Sequence, residues 1–244
     1  MSQSLRTPLR RKICQAKHRQ PGPRFDLIET VAKAGNGLVD LWEASPIRLD
    51  SNQPRTDEII NVLFPGNPLL CCGWTRHRFD TRDRRHWYKL HDLQFIVPNP
   101  MTASRGLTRR RKSSPHALSN TGARRFLIIE FDFDEGNSAE QARLLQRLAI
   151  EGGDVRDLCA ALLLHLAEKA PLALVVYSGG KSLHGWFYCA GIPEEKVSRF
   201  FCYAVSLGAD RTNWNPSQFA RIPDGLRENG RRQTVYFFNP GVVK

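Results

Sequence analysis

Residues 126–134 have the sequence FLIIEFDFD and give the clearest fold signal in the chain. The run is rich in aromatic and β-branched residues, which predicts a strand. Successive side chains alternate across a strand, so Glu130, Asp132 and Asp134 are expected on one face. The opposite face then takes the apolar residues Ile129, Phe131 and Phe133.

Helices and strands follow one another after this stretch. The predicted helices cover 138–148, 155–169 and 193–208, and the predicted strands cover 172–178, 182–190, 218–223 and 233–239. Tight turns and helices both connect these strands, which together form a sheet of about five strands. The fold class expected is α+β, with mixed α/β elements.

The N-terminal half is less regular. Its apolar spacing predicts helices over 24–34 and 56–64 and a strand over 93–98. Polar and basic composition sets off two further segments. The expected organisation is a flexible basic arm (1–22), an N-terminal α/β unit (23–100), a basic loop (101–123) and a C-terminal core (124–244).

The positive charge is concentrated in two short segments. The chain has 36 Lys and Arg residues against 24 Asp and Glu residues, a net charge of +12. Residues 1–25 and 102–125 each hold seven basic residues and no acid. Such clusters attract nucleic acid by neutralising phosphates, although a solvated tail and loop would have the same composition. Arg109, Arg110, Arg111 and Lys112 are the candidate nucleic-acid contacts in the loop.

Several protein classes are disfavoured. No apolar run is long enough to span a membrane, and the basic N-terminus lacks the apolar region of a secretory signal. A cytoplasmic protein with reduced thiols and no membrane partner is expected. One group of residue types could bind zinc, but its spacing matches no zinc motif. That group is Cys71, Cys72, His77, His86 and His91.

The acidic face of 126–134 predicts a metal site. Three carboxylates on one face repel one another unless a cation screens them. Oxygen ligands of this kind suit Mg²⁺ or Mn²⁺ bound together with substrate phosphates. The alternative is an edge strand with a solvated acidic face. Asp210 could add a fourth carboxylate or could cap a short helix.

A glycine turn follows the next strand. Residues 178–186, SGGKSLHGW, contain GKS but lack the first glycine of a Walker motif. The turn can still bring backbone N–H groups near a phosphate, with Lys181 supplying charge. His184 beside Ser178 and Lys181 is a candidate functional residue. A Ser/His hydrolase is disfavoured, because no G-x-S-x-G elbow is present.

Arginines gather near the C-terminus, within RIPDGLRENGRR at 221–232. Arginine forks bind phosphate oxygens bidentately. Arg221 is therefore a candidate nucleotide contact, and Arg231 and Arg232 are candidate nucleic-acid contacts. Trp74, Trp87 and Tyr88 lie among arginines and could stack bases or serve as ordinary core and surface aromatics.

These motifs resemble the archaeo-eukaryotic primase superfamily of primases and primase-polymerases. The family has a D-x-D pair on a strand, an S-x-H-type motif after a glycine-rich turn, and a later acidic residue. The corresponding stretches here are EFDFD, SGGKSLHGW and Asp210 followed by SQFARIPDG. The resemblance covers about residues 124–240 and is closest to the bacterial, phage and plasmid branch.

The resemblance implies roles for the candidate residues. Catalytic metals would be held by Asp132 with either Glu130 or Asp134, and by Asp210. Ser178, Lys181, His184 and Arg221 would contact the triphosphate of the incoming nucleotide. The implied fold is a modified RNA-recognition-motif (RRM) sheet beside an N-terminal α/β unit.

The resulting functional hypothesis is a template-directed nucleotidyltransferase that makes primers or extends DNA with two metals. Its expected partners are a single-stranded DNA template, an NTP or dNTP, and a replicative helicase encoded separately. Two alternatives stay open: a non-catalytic nucleic-acid-binding replication module on the same fold, and a metal-dependent nuclease.

Overall fold

The computed structural model describes residues 22–34, 36–49, 54–134, 136–148 and 155–244. The helices in these ranges are α1 (Phe25–Ala32), α2 (Leu38–Glu43), α3 (Thr56–Leu63), α4 (Ala139–Arg147), α5 (Arg156–Ala167) and α6 (Glu194–Ser206). The strands are β1 (Leu69–Gly73), β2 (Phe79–Asp83), β3 (Phe95–Ile96), β4 (Gly106–Leu107), β5 (Ser113–Ser114), β6 (Phe126–Glu130), β7 (Leu172–Tyr177), β8 (Leu183–Tyr188), β9 (Ala220–Arg221) and β10 (Val235–Phe238). The predicted basic arm lies outside the described residues, except for Gly22.

The principal sheet has four antiparallel strands in the order β10-β7-β8-β6. β7 and β8 form a hairpin at its centre. The chain runs from β6 through α4 and α5 to β7, and β8 lies between these two strands, which makes a split βαβ unit. The predicted α+β class is therefore confirmed. The predicted strand count of about five is wrong for this sheet, because β9 pairs elsewhere.

Both faces of the principal sheet are buried. Leu127 and Ile129 of β6 pack into a core with all of the described helices except α3. Phe126 and Ile128 point to the opposite face, where they pack with Trp186 of β8 and with α3. A strand that is buried on both faces has a continuous apolar run, which accounts for the FLII sequence.

A second sheet lies on the face opposite most of the helices, with the strand order β2-β1-β3-β9. Its last strand comes from the C-terminal part of the chain, and Arg221 of β9 lies opposite Phe95 of β3. Ile96 and Ala220 share one buried cluster with Ile128 and Trp186 of the principal sheet. The two halves of the chain thus build one core together.

The segment 101–123, which is predicted from the sequence only as a basic loop, contains a short two-stranded ribbon in the structure. β4 and β5 pair, and the backbone N–H of Thr108 donates to the carbonyl of Lys112 at 2.9 Å. Asn120 fixes the base of the ribbon by donating to the carbonyls of Ala103 and Pro115 at 3.0 and 3.1 Å. Hydrogen bonds from polar side chains hold the ribbon together. Its sequence therefore has no alternation of apolar residues from which the two strands could be predicted.

The predicted helices over 24–34, 56–64, 138–148, 155–169 and 193–208 are confirmed, with shorter bounds at most ends. The strand predicted over 126–134 is too long, since regular pairing ends at Glu130. None of the helices in the described ranges is long and apolar enough to cross a membrane.

Candidate functional site

The acidic stretch lies where β6 ends, at the edge of the principal sheet. Beyond Glu130 the regular strand pairing stops, and an isolated bridge joins Phe131 to Ala209. Phe131 and Phe133 are both buried, and their rings stack with centroids 6.0 Å apart. Asp132 between them is exposed. The predicted alternation is therefore confirmed, although the regular strand is shorter than predicted.

Glu130 and His184 meet across two paired strands. They are direct register partners on β6 and β8, so their side chains leave the sheet on the same face. Glu130 Oε1 lies 3.2 Å from His184 Nε2. Ser182, two residues before His184, donates from Oγ to the same carboxylate oxygen at 3.0 Å. Ser182 Oγ also lies 3.3 Å from His184 Nε2, which closes a triangle of side chains.

The environment keeps Glu130 ionised. Burial alone raises the pKa of this carboxyl, but the charge and hydrogen bond of His184 and the bond from Ser182 outweigh burial and lower the pKa to about 2. The His184 side chain is only 6% exposed. Its second ring nitrogen, Nδ1, is buried and has no hydrogen-bond partner among the described residues. Because buried polar atoms are normally hydrogen-bonded, this nitrogen is a candidate to bond to a ligand.

Asp210 is held beside Glu130 by the backbone. Its N–H donates to the Glu130 carbonyl at 2.9 Å. Its carboxylate caps the 3₁₀ turn Arg211–Trp214 by accepting from the backbone N–H and the hydroxyl of Thr212 at 2.8 and 2.6 Å. The capping role considered from sequence is thus present, and it also places a carboxylate next to the end of β6. Asn213 of the same turn faces Glu130 and contributes to lowering its pKa.

Asp132 is the open carboxylate of the group. It has no hydrogen bond or ion pair within the part of the chain that the structure describes. Burial, followed by the charges of Glu130, Asp134 and Asp210, raises its pKa, and Lys181 opposes the rise. Asp132 therefore lies in the electrostatic field of three other carboxylates at this edge of the sheet. Neighbouring negative charge that raises a pKa also favours a bound cation.

Lys181 pairs with Asp134 at the rim of the site. The ammonium contacts Asp134 Oδ2, and this hydrogen bond lowers the pKa of Asp134. The other oxygen, Oδ1, accepts from the backbone of Gly136 at 2.9 Å. Lys181 is 61% exposed on its side chain, so the pair lies in solvent. Sequence reasoning placed Lys181 at a phosphate; the structure places it within reach of the acidic edge.

The glycine turn between β7 and β8 is held by Ser178. Its hydroxyl oxygen accepts from the backbone N–H groups of Gly180 and Ser182, both at 3.3 Å. Gly179 has φ +73°, in the left-handed region that favours glycine. Arg227 lies against the turn and donates to the Ser178 carbonyl at 3.3 Å. Ser178 thus shapes the turn, while Ser182 reaches the carboxylate.

Arg221 approaches the same site from the second sheet. Its guanidinium lies over the Phe95 ring at 4.6 Å. Burial, with the nearby charges of Arg227 and Arg76, lowers its pKa to about 10, while Glu130 opposes this effect. Nη1 of Arg221 is buried and has no partner among the described residues. A cationic donor without a partner near a carboxylate group suits a phosphate oxygen.

The predicted nucleic-acid contacts fall into two sets, one beside the glycine turn and one at the tip of the ribbon. Arg231 and Arg232 flank Gly179, and Arg232 lies 3.5 Å from Asp224. Arg109, Arg110, Arg111 and Lys112 form the exposed tip of the ribbon and are not part of the acidic group.

The aromatic residues considered for base stacking differ in how far they are buried. Trp87 is buried and Trp74 is half-buried, with the Arg78 guanidinium 4.7 Å from the Trp74 ring, whereas Tyr88 is 78% exposed.

The cysteines considered for zinc are buried. Cys71 and Cys72 belong to different core clusters, and burial raises the pKa of Cys71 to about 12. In the described ranges, no three His, Cys, Asp or Glu side chains converge closely enough to hold a metal ion as they stand.

No individual site role was predicted from the sequence for Ser182, Asn213, Arg76 and Arg227, although Arg227 lies within the arginine-rich stretch 221–232 that was considered for phosphate contacts. Ser182 was detectable, because a Ser-x-His spacing on a strand places both side chains on one face. The other three depend on how the second sheet and the 3₁₀ turn pack against β6. Comparisons of the chain with protein-family models, with curated proteins and with solved structures give no significant match.

Proposed function

We propose that the protein is a template-directed nucleotidyltransferase that makes primers or extends DNA. The observation that carries the proposal is the contact between Glu130, Ser182 and His184 beside the open carboxylate of Asp132. Acidic side chains for a divalent cation and basic groups for a polyphosphate meet there at one sheet edge. Nucleotidyl transfer needs this combination, because the protein must position phosphates and neutralise their charge.

The donor set fits a hard cation. Carboxylate oxygens are the ligands that Mg²⁺ and Mn²⁺ prefer. Asp132 would hold the ion together with Glu130 or Asp134, and Asp210, whose charge acts on Asp132, would add a further carboxylate. Mg²⁺ or Mn²⁺ would supply charge neutralisation and would activate a hydroxyl nucleophile. Burial and then the neighbouring carboxylates raise the pKa of Asp132, which supports this assignment, because a bound cation would relieve the repulsion between the carboxylates.

The basic side of the site would bind the nucleotide. The reaction joins a 3′-hydroxyl oxygen to the α-phosphorus of an NTP or dNTP, the hydroxyl proton is lost, and pyrophosphate leaves. Arg221 Nη1 and His184 Nδ1 are buried atoms that have no hydrogen-bond partner within the described ranges, and they are available to phosphate oxygens. The glycine turn held by Ser178 allows close approach, and Lys181 lies at its end.

The finer fold assignment is part of the same proposal. A four-stranded antiparallel sheet with helices on one face and the candidate site on the other supports an RRM-like core. One feature differs: β10 pairs with β7, whereas the last strand of an RRM pairs with the first. The second sheet takes the place of the expected N-terminal α/β unit, with β9 added to it.

The setting of this activity follows from the primase hypothesis. A cytoplasmic enzyme would act on single-stranded DNA opened by a separately encoded replicative helicase. The two alternatives differ in their products. A non-catalytic replication module would bind DNA and make nothing, and a metal-dependent nuclease would degrade labelled DNA without added nucleotides.

The test is an incorporation assay with single-stranded DNA, labelled NTPs or dNTPs, and Mg²⁺ or Mn²⁺, with and without a primer. We expect a labelled product that requires both template and metal. Product on unprimed template would identify a primase, and product only from a primer would identify a polymerase. DNA binding without any product in all conditions would overturn the proposal and favour the binding module.

A further inference from the structure

An open groove lies between the ribbon and the chain around Trp214. Its volume is about 900 Å³. One wall is the ribbon, with Leu107 and Arg109, and the other wall is the chain around Trp214 and Ser217. The roles proposed above for the acidic site do not use this groove, and only Arg109 of its lining was singled out from the sequence.

Four exposed cations lie at the tip of the ribbon, and one of them, Arg109, lines the groove. Arg109, Arg110, Arg111 and Lys112 are all exposed, and none forms an ion pair with an acid in the described ranges. The single acid of the groove, Glu194, is already paired with Arg124 at 3.1 Å. The groove therefore presents net positive charge to a ligand, and the complementary ligand is a polyanion.

The same groove exposes apolar side chains. Leu107 is 56% exposed and Leu118 is 57% exposed. They are held next to each other, because Ser119 accepts from the N–H of Leu107 at 2.8 Å and donates to its carbonyl at 3.0 Å. Apolar surface beside uncompensated cations suits a strand whose bases are unpaired, since duplex DNA offers only phosphates and groove edges.

Hydrogen bonds and close packing hold both walls of the groove in place. The ribbon base is fixed by Asn120, as described above, and Gly106 leaves no room for a Cβ, which would lie 2.6 Å from Ser119 Oγ. On the other side Arg124 donates to the Trp214 carbonyl at 2.9 Å, and its guanidinium stacks 4.4 Å from the Trp214 ring. His116 joins the two sides through a hydrogen bond between Nε2 and the carbonyl of Ser217.

The groove is connected to the candidate site along one edge. Trp214 ends the 3₁₀ turn that begins at the cap Asp210, and this turn packs along β6. Arg124 precedes β6, and Glu130 ends it. Arg124 and Glu130 are six residue steps apart, and an extended chain of that length spans roughly 20 Å. A helical strand rises about 3.4 Å per nucleotide, so the distance corresponds to about six nucleotides.

We infer that this groove binds a single-stranded nucleic acid about six nucleotides from the acidic site, with Arg109 and Arg111 on phosphates and Leu107 and Leu118 against bases. This inference rests on the proposed function for its biological meaning, because the bound strand would be the template. The binding itself is a separate property and is measured separately.

The test is the salt dependence of binding to a fluorescein-labelled dT20 oligonucleotide, measured by anisotropy between 50 and 200 mM NaCl without nucleotide or divalent metal. Each phosphate contact on a single strand contributes about 0.7 to the slope of log affinity against log salt. We expect the double variant Arg109→Gln/Arg111→Gly to lower the slope by about 1.4 and the affinity at 0.1 M salt by about 25-fold. Arg111 has φ +57°, so glycine fits that position without strain.

Two further variants separate the contacts. Leu107→Ser/Leu118→Ser should weaken binding several-fold and leave the salt slope unchanged, since apolar contacts release no counterions. Lys169→Gln, an exposed cation next to Tyr203 on the helical face, should change neither quantity.

The inference is overturned if the arginine variant binds with the wild-type slope and affinity, as it would if the ribbon met an acidic protein. Equal affinity for a duplex of the same length would also contradict it. Asp132→Ala separates this inference from the proposed function. If that variant binds dT20 normally and the wild type makes no product, the proposed function fails and the groove stands.

Discussion

Glu130 and His184 lie opposite each other on neighbouring antiparallel strands, and their side chains meet with Oε1 and Nε2 3.2 Å apart. The pairing joins the two motifs that the sequence places 54 positions apart. It keeps the carboxylate ionised within a largely buried setting and leaves the other imidazole nitrogen free for a ligand.

The first prediction concerns which acids hold the metal. Asp210 is bonded to the Glu130 backbone, whereas Asp134 is already neutralised by Lys181. We therefore expect Glu130→Gln to lower nucleotide incorporation by about 100-fold or more, a loss of at least about 2.7 kcal/mol in transition-state stabilisation. Asp134→Asn should cost less than about tenfold, because an exposed pair contributes little.

The readout for these two variants is kcat together with the Mn²⁺ concentration that gives half-maximal activity. Glu130→Gln should raise that concentration more than Asp134→Asn does. The reverse order would assign the metal to Asp132 and Asp134 and would contradict the prediction.

The second prediction separates the two serines. Ser182 bonds to the carboxylate, and Ser178 bonds to backbone N–H groups of the glycine turn. Ser182→Ala should lower kcat about tenfold, since a hydrogen bond to a charged group is worth roughly 1.5 kcal/mol or more. Ser178→Ala should mainly lower the free energy of unfolding, by about 1 kcal/mol. Urea denaturation and steady-state kinetics on both variants measure the two effects, and indistinguishable profiles would refute the division of roles.

The third prediction concerns Arg221. Arg221→Lys keeps the charge but removes the guanidinium fork and the unpartnered Nη1. We expect the KM for the nucleotide to rise about tenfold or more, with a smaller change in kcat. The matched control is Arg82→Lys in the same sheet, where the guanidinium lies 4.9 Å from the Trp87 ring and far from any proposed phosphate contact. Equal effects in the two variants would show that Arg221 only packs.

The fourth prediction concerns acid stability. The pKa of Glu130 in the folded protein is about 2, below its ordinary value of 4.5. A lowered carboxyl pKa stabilises the fold above about pH 4.5, and this contribution is lost as the pH falls towards 2. Its upper size is roughly 3 kcal/mol. Wild type should therefore exceed Glu130→Gln in the free energy of unfolding near pH 6, and the gap should shrink by pH 3.

Urea denaturation of both proteins at pH 6, 4.5 and 3 measures that gap. A gap that stays constant over this range would mean that the carboxyl titrates normally in the folded protein.

Much of the fold could be predicted because local patterns carry it. The run FLIIEFDFD alternates as expected: Phe131 and Phe133 are buried and Asp132 is exposed. The strand β2 was missed, because the sequence from Arg76 to Arg85 is dense in charge and gives no alternating apolar signal. The strand β1 was missed because its apolar run, LLCCG, is short and does not alternate. β9 was assigned to the wrong sheet, since the choice of a strand's partner is set by packing far along the chain.

The candidate site was predicted in its residue types and only partly in its geometry. Periodicity grouped the carboxylates, but the register that pairs Glu130 with His184 depends on a partner strand that no local pattern specifies. The contact from Ser182 and the orientation of Arg221 follow from that register and from the second sheet. The sequence also does not specify that the long side chain of Lys181 forms an ion pair with Asp134.

The most direct test of the account is incorporation of a labelled nucleotide on single-stranded DNA with Mn²⁺, measured for wild type, Asp132→Ala and Asp92→Ala. Asp132 is the open carboxylate shared by both possible metal pairs, while Asp92 is an exposed aspartate on a different 3₁₀ turn. We predict product from wild type and Asp92→Ala and none from Asp132→Ala, with dT20 binding intact in all three. Full synthesis by Asp132→Ala would contradict the assignment of the site.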